Sequence, residues 1–520
     1  MYTKLNSERR FIIKGIGALG LGGVIVACGG GGGSSGSAST TTNPSGTSGR
    51  SNPTNASKGA STAACTNTAT IPLIIDASVT ATGIPANIPI YAYIVGLVAG
   101  PGGDIYYRYS SSSNKPVQMS TGDNLIAAGG GGTGLSGSSG STNYPQVWAD
   151  YSIPLDRTCA TVAADLATFN TSNLSGFGTG GAAFSGRIFI SVGTPQIPFT
   201  AYAGTPSTSI TGSPVTGYAS PSSIAGNAGS LCMFDWLEFS YDSTGALNIN
   251  TTQVDQYGFP ISMTATGTGV TGGEQGLFNA SRSGILSALA KQASSLFNGS
   301  VAIPSVGVAS GTYPPLANTS GILRALAPPN TSGASTSNYL ATPITNAMGN
   351  WINNILSVTC PSNVLQQTYY GKAINSTTLN FYTTSAVSGT PTFSFNDIST
   401  YNVLNCSGSL AGDGVSQTGN LLSDLQNTGK AILAGFNRGV ITSATTVLNI
   451  TQTPASAYAP PLSNNYQSTT IPYNTWALNF HQFSSNGYAY GFSYDDVGAE
   501  QPTITTTKTA SLKLQLGIFQ

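Results

Sequence analysis

Phe234-Asp-Trp-Leu-Glu-Phe-Ser-Tyr241, followed by Asn250-Thr-Thr-Gln-Val-Asp-Gln256, sets one acid into each of two strand-like runs. In a period-2 register Phe234, Trp236, Glu238 and Ser240 share one face, and Leu237, Phe239 and Tyr241 share the other, which points to a core. Asp242-Ser-Thr-Gly245 reads as a turn, with Leu247 to Asp255 as the return strand. A flat hairpin would pair Glu238 near Ile249 and leave Asp255 roughly 20 Å away. If the two acids are to meet, the return strand must bend or leave the sheet before Asp255.

Charge is scarce elsewhere. Only 7% of the 520 residues are charged, and the glutamates are Glu8, Glu238, Glu274 and Glu500. A carboxylate inside a β-branched and aromatic run costs desolvation free energy, so it has a partner or a task. Two carboxyls flanking one site are what glycosidic-bond hydrolysis needs, one as acid for the leaving oxygen and one as base for water. Trp236 and Ser240 would flank the acid with a ring and a hydroxyl for a sugar, and Thr251 and Thr252 lie next to both acids. The competing reading is two unrelated carboxylates.

The ends of the chain speak of export. Residues 1–28 combine Lys4, Arg9, Arg10 and Lys14 with an apolar run from Gly15 to Ala27, too short and glycine-rich for a transmembrane helix. Arg9-Arg10 fits a twin-arginine signal, and equally a general secretory one. The run ends Ile25-Val-Ala-Cys28, which resembles a lipobox, so Cys28 is the expected lipidation site and the membrane a partner through that anchor. Residues 29–66 are Gly/Ser/Thr-rich and aperiodic, a flexible tether. The expected location is the cell surface or periplasm, membrane-anchored, or the secreted pool.

Outside the cytoplasm an even subset of cysteines oxidises. Cys360 with Cys406 is the first candidate pair, Cys65 with Cys159 the second, and Cys232 is expected as a buried thiol. With one histidine and no C-x-x-C, neither a metal site nor a cofactor is expected. Zero net charge without basic clusters excludes nucleic acid. The surface is polar but uncharged, which suits a neutral glycan.

Short alternating strands with turn clusters run from residue 67 to 270, a β-sandwich or barrel domain carrying the acidic motifs. The period then changes. Ser281 to Phe297 is helical in spacing; a second helix opens at Pro343 with Ile344, Met348, Trp351, Ile352 and Ile355 on one face; a third covers Leu421 to Asn437, weakened by Gly429. Residues 271–445 thus read as a mixed α/β domain, and 446–520, strand-like from Tyr473, as a return to the β domain. His481 is expected to be a hydrogen-bonded structural histidine and Trp351 helix core.

The acidic motifs, together with Ser185-Gly-Arg-Ile-Phe-Ile-Ser191, Phe436-Asn-Arg-Gly-Val440 and Gly487-Tyr-Ala-Tyr-Gly-Phe-Ser-Tyr-Asp-Asp-Val497, resemble glycoside hydrolase family 64. These are laminaripentaose-producing β-1,3-glucanases with a thaumatin-like fold. The match runs from about Ile71 to the C-terminus, interrupted by a Gly/Ser insertion at Ala127 to Asn143. The resemblance implies a mainly β protein: a thaumatin-like β-sandwich or barrel domain, an α/β lobe, and an open groove between them. It implies Glu238 as general acid, Asp255 as general base, and Asp495 and Asp496 as an acidic pair lining the groove, for which calcium is the rival reading. The implied activity is endo-acting, inverting hydrolysis of a β-1,3-glucan partner by a monomer, releasing laminari-oligosaccharides. The alternatives are a non-catalytic surface glucan-binding lipoprotein and a structural or adhesive surface protein.

Overall fold

The computed structural model describes residue 65 and residues 68–520, apart from 101–102, 128–146, 170–173, 175–182, 194–195, 204–214, 222–231, 278–279, 294–322, 329–338, 361–363, 366, 450–472, 485 and 498–501. The export segment, Cys28, the tether apart from Cys65, and nearly all of the Gly/Ser insertion lie outside the described residues. Within them the chain is mainly β, with several sheets and few helices.

The first half builds a two-sheet sandwich. Its strands are β1 (Pro72–Asp76), β2 (Ile90–Gly100), β3 (Gly103–Ser110), β4 (Lys115–Gln118), β5 (Thr161–Asp165), β6 (Ala183–Val192), β7 (Met233–Asp242), β8 (Leu247–Thr251) and β9 (Ile261–Thr268). The second half adds β10 (Leu356–Thr359), β11 (Thr368–Ala373), β12 (Leu379–Tyr382), β13 (Phe393–Phe395), β14 (Val447–Asn449), β15 (Thr503–Thr506) and β16 (Lys508–Leu516). One sandwich sheet runs β15-β8-β7-β6-β2-β3-β4, and the other runs Gln275–Gly276, then β9-β16-β1-β5. The C-terminal strands join both sheets: β15 pairs with β8, then β16 crosses to the facing sheet, parallel to β1 and antiparallel to β9.

The acid-bearing strand β7 is central, and its alternation is as the sequence implies. Met233, Leu237, Phe239 and Tyr241 enter the sandwich core with Ile188, Ile190, Leu512 and Leu514. The other face is buried too over its first half. Phe234 and Trp236 join Tyr93, Phe189 and Phe199 in a second, aromatic cluster. Gly186 of β6 makes room for the core: a Cβ there would meet the Phe184 ring and stand 2.7 Å from the Val95 carbonyl oxygen. Phe184 uses that space to pack on Phe169 and Phe239, at 4.8 and 5.5 Å between ring centroids.

A separate sheet, β13-β12-β11-β10-β14, carries its own core. Helices α2 (Ala341–Asn353), α3 (Thr400–Asn405) and α4 (Gly419–Asn437) contribute to it, following α1 (Arg282–Ala293). Pro343 sits in the first turn of α2, where its missing N–H costs nothing. Ile344, Met348 and Trp351 are buried, while Ile352 turns to solvent instead of sharing their face. Gly429 in α4 has a packing reason. The helix backbone lies there against the Leu410 carbonyl, which any side chain would strike.

Three expectations need correction. Thr475–Phe483 is a helix, α5, rather than a strand: Asn474 caps it by accepting from Ala477 N at 3.1 Å, and Trp476 and Phe480 bury one turn apart. Helix α1 packs with α5 and Tyr257 in a fourth cluster, so the core around the second sheet starts at Leu340, not 271, and past 445 takes in Leu448, Ala477, Phe492 and Val497. Cys406 is a buried thiol that donates to the Val403 carbonyl and is not joined to Cys360; it caps α3 in a left-handed conformation. Cys65 and Cys159 do form a disulfide, across 94 residues with Cα atoms 5.7 Å apart, and Cys360 is disulfide-bonded to a partner other than Cys406. Cys232 is a buried thiol, as expected.

Gly186→Ala should destabilise the protein by about 1–3 kcal/mol through overpacking. A denaturant titration with an unchanged slope and a lowered midpoint is the expected result.

Candidate active site

The Glu238 carboxylate sits where the aromatic cover of β7 ends. Across the sheet it stands opposite Arg187 on β6 and Asn250 on β8, with Thr503 of β15 beyond Asn250. The register is one residue from the expected Ile249, because the last pair across the turn is Tyr241 with Leu247, which leaves five residues, 242–246, between them. The Asp242 side chain organises that turn, accepting from Thr244 N at 2.8 Å and Ala246 N at 2.9 Å. Arg187 Nη2 donates to Glu238 Oε1 at 3.0 Å, with the two side chains 15% and 20% exposed. Both side chains are therefore partly desolvated yet open to a ligand. The same guanidinium lies over the Trp236 ring, 5.4 Å from its centroid.

Asp255 lies past a bend beyond the end of β8. β8 ends at Thr251, and the chain leaves the sheet. Gln253 N donates to Tyr490 O, and Gln253 O accepts from Trp476 Nε1, both at 2.8 Å. Gln256 then folds back on β7, its Nε2 donating to Phe234 O at 2.8 Å, while Asp255 O accepts from Ala327 N at 3.0 Å. The half-buried Asp255 carboxylate acts through space on Arg187. Burial pulls the Arg187 pKa down, but Glu238, Tyr218, Asp255 and the hydrogen bond to Glu238 outweigh it and hold the pKa above its ordinary value. One guanidinium thus answers to both carboxylates.

Other expected groove residues fare differently. Ser240 is half-buried on the same face as Glu238. Trp236 is 6% exposed, under Arg187 and against Phe234 and Phe189, so its ring is a support for the arginine rather than an open platform. Thr251 and Thr252 are each 3% exposed and offer a ligand little surface.

Asp495 is fully buried and belongs to an internal strut instead of the groove. It accepts from Arg438 Nη2, pairs with His481 Nε2, and accepts from Gly491 N, each at 2.9 Å. Burial pushes its pKa up, but His481, Arg438 and Gly491 outweigh this and hold it below the ordinary carboxylate value. Burial likewise pulls the His481 pKa down, yet Asp495 and the Gly487 carbonyl raise it above normal. His481 is the structural histidine the sequence suggests. Asp496, the next residue, is half-buried.

Sequence reasoning gave no role to Arg187 or to Asp235. Asp235 is buried beneath the site, accepting from Trp236 N at 2.9 Å and Gly258 N at 2.8 Å. Desolvation raises its pKa to about 7, against those backbone donors and the charge of Arg324. The signal for Arg187 was its isolation as a cation inside a β-branched strand run.

A model of the β-1,3-glucanases of glycoside hydrolase family 64 matches residues 91–516. The chain belongs to that family. A laminaripentaose-producing β-1,3-glucanase crystallised with laminaritetraose is similar over 87% of this chain and 100% of its own, at 20% identity and a TM-score of 0.56. The β-1,3-glucanase domain from Clostridium beijerinckii is similar over 86% of this chain and 98% of its own, also at 20% identity and a TM-score of 0.56. A direct sequence comparison with curated proteins gave no match.

Two outcomes are expected. Asp495→Asn should cost about 3–5 kcal/mol, because it leaves buried cations without their counter-charge. In the wild type the strut's contribution weakens as pH rises through the elevated His481 pKa, and as it falls through the depressed Asp495 pKa, so the melting temperature should fall at both extremes. Asp235 works in the opposite sense to Asp495. Its folded pKa near 7 exceeds the unfolded 3.8, so the folded state holds the extra proton and stability declines as pH rises between them. The total is on the order of 4 kcal/mol, and Asp235→Asn should flatten that stretch of a stability–pH curve.

Proposed function

We propose that the protein is an endo-acting glycosidase that hydrolyses β-1,3-glucan with inversion, Glu238 serving as general acid and Asp255 as general base. The observation that carries this reading is the Glu238–Arg187 ion pair on the open part of an otherwise buried sheet face, with the Asp255 charge near enough to help raise the Arg187 pKa. Glu238 gives its proton to the leaving glycosidic oxygen as the C1–O bond breaks. Asp255 takes a proton from the water that attacks C1 from the opposite side of the ring, which inverts the anomeric centre. Room for that water sets a carboxyl separation of about 6.5–9.5 Å in the bound complex.

The substrate lies in an open groove, since an endo-acting site must admit a chain from the side. In this reading the fold is thaumatin-like, with the groove between the sandwich and the α/β lobe, its floor on β7 and β8, and Ser240 and Asp496 along it. Laminari-oligosaccharides, laminaripentaose among them, are the products, and the enzyme works as a monomer. It works outside the cytoplasm, held by lipid on Cys28 through the residue 29–66 tether. The Cys65–Cys159 disulfide supports an oxidising compartment.

The test is incubation of the protein with linear β-1,3-glucan, with product sizing and proton NMR of the first-formed reducing ends. α-Anomers are expected from the β-linked chain. Glu238→Gln and Asp255→Asn should each lower turnover roughly 10²–10⁴-fold while still binding glucan. Full activity in either variant would refute the assignment. Binding by the wild type without any sugar release would favour a non-catalytic glucan-binding lipoprotein.

A further inference from the structure

We infer that Arg187 is a positioning residue for the Glu238–Asp255 pair, fixing the Glu238 carboxyl and stabilising the negative charge it acquires as its proton leaves. The inference rests on the function proposed above. Its geometric basis is independent of it. Arg187 is held rigidly on the central strand β6, between β7 and β2, with Glu238 as its direct cross-strand neighbour at 3.0 Å. The Trp236 ring beneath it fixes the plane of the guanidinium.

Few other charges face this group. Glu238 comes from β7, the Tyr218 phenol from Gly217–Ala219, and Asp255 from the segment after β8. On the β2 side Arg187 is paired with Val95, and the next cation along the row, Arg108 of β3, is taken up by Asp123 at 3.2 Å. One cation thus acts on both proposed reacting carboxylates.

That arrangement has a chemical consequence. When the proton passes from Glu238 to the glycosidic oxygen, the carboxyl becomes a carboxylate, and Arg187 is already in place to stabilise it. As water adds to C1 and its proton goes to Asp255, that aspartate becomes neutral while Glu238 is charged. The charge has moved between two groups that share the same guanidinium. Exchange of one proton with solvent at each carboxyl then resets the site. A fixed cation stronger in effect on the product carboxylate than on the neutral acid favours the transition state over the ground state.

The test uses the full chain, with kcat and KM on linear β-1,3-glucan measured across pH for Arg187→Met and Arg187→Lys. Arg187→Met should lower kcat roughly 10²-fold with KM changed much less. It should also move the alkaline limb of the profile upward by about one pH unit, because removing an adjacent cation makes an acid give up its proton later. Arg187→Lys keeps the charge without the planar fork, so it should restore the wild-type limb while recovering only part of kcat. An alkaline limb unmoved in Arg187→Met overturns the inference. So does a limb in Arg187→Lys displaced as far as in Arg187→Met, and this second variant decides the matter if the methionine variant does not fold. If the limb stays fixed while Glu238→Gln is inactive, the role of Arg187 alone fails; if the wild type releases no sugar, the proposed function fails with it.

Discussion

The pairing of Arg187 with Glu238 is the constraint around which the rest of the structure is arranged. Partly desolvating two charges costs several kcal/mol per ion in a low-dielectric setting, and a pair of this kind is weak evidence for stability. A chain with charge on only 7% of its residues spends it in few places, and this is one of them. The pair is tolerated because its surroundings are rigid. Below it the sandwich core fills with Phe184, Leu237 and Phe239, and beside it the Trp236 ring packs on Phe189 and Phe234. Neither strand has freedom to separate the two side chains.

Rigidity on the Asp255 side comes from elsewhere. The segment after β8 belongs to no large sheet, so its position depends on tethers from three directions. Trp476 and Tyr490 hold Gln253, Phe234 holds Gln256, and Ala327 holds the Asp255 carbonyl. Residues 474–497 are fixed to the α/β lobe in turn, through Asn474 on Asn437 and Asp495 on Arg438. The buried strut therefore acts on the site at one remove. It fixes the segment that fixes Gln253, two residues before the second carboxylate. Asp495 serves that role while fully buried, which is why it gives no surface to a groove.

Much of this was legible in the sequence, for a definite reason. Period-2 alternation assigned the faces of β7 correctly, and the distance from Glu238 to Asp255 along a flat hairpin required the bend that occurs. The turn at Asp242 and the return of the C-terminal strands followed from local patterns. What alternation cannot give is what covers the second face of a strand. Trp236 looked open because its cover, including Ile197, Phe199 and Val215, lies 20 or more residues earlier and carries no local signal. The same limit hid the burial of Asp495, whose partners Arg438 and His481 come from two other helix-associated segments. Trp476 and Phe480 lie in an aromatic, polar run that reads equally as strand until the Asn474 cap is recognised. Cysteine pairing is set by tertiary distance, and the thiol at Cys406 shows that proximity in sequence order was no guide.

A neutral polysaccharide offers a protein no charge to attract, so long-range steering contributes little and recognition falls to hydroxyl and amide groups at short range. The face around Glu238 has that character. Asn250 and Thr503 continue its row on one side, and Ser240 and Ser185 lie two residues along on the same face. Within such a lining the Arg187 guanidinium stands beside Glu238, while Arg108 on the same row is bound to Asp123. The scarcity of charge in this chain is therefore more than a compositional habit. It gives weight to the one cation seen beside Glu238, whose position is set by strand pairing and not by a flexible loop.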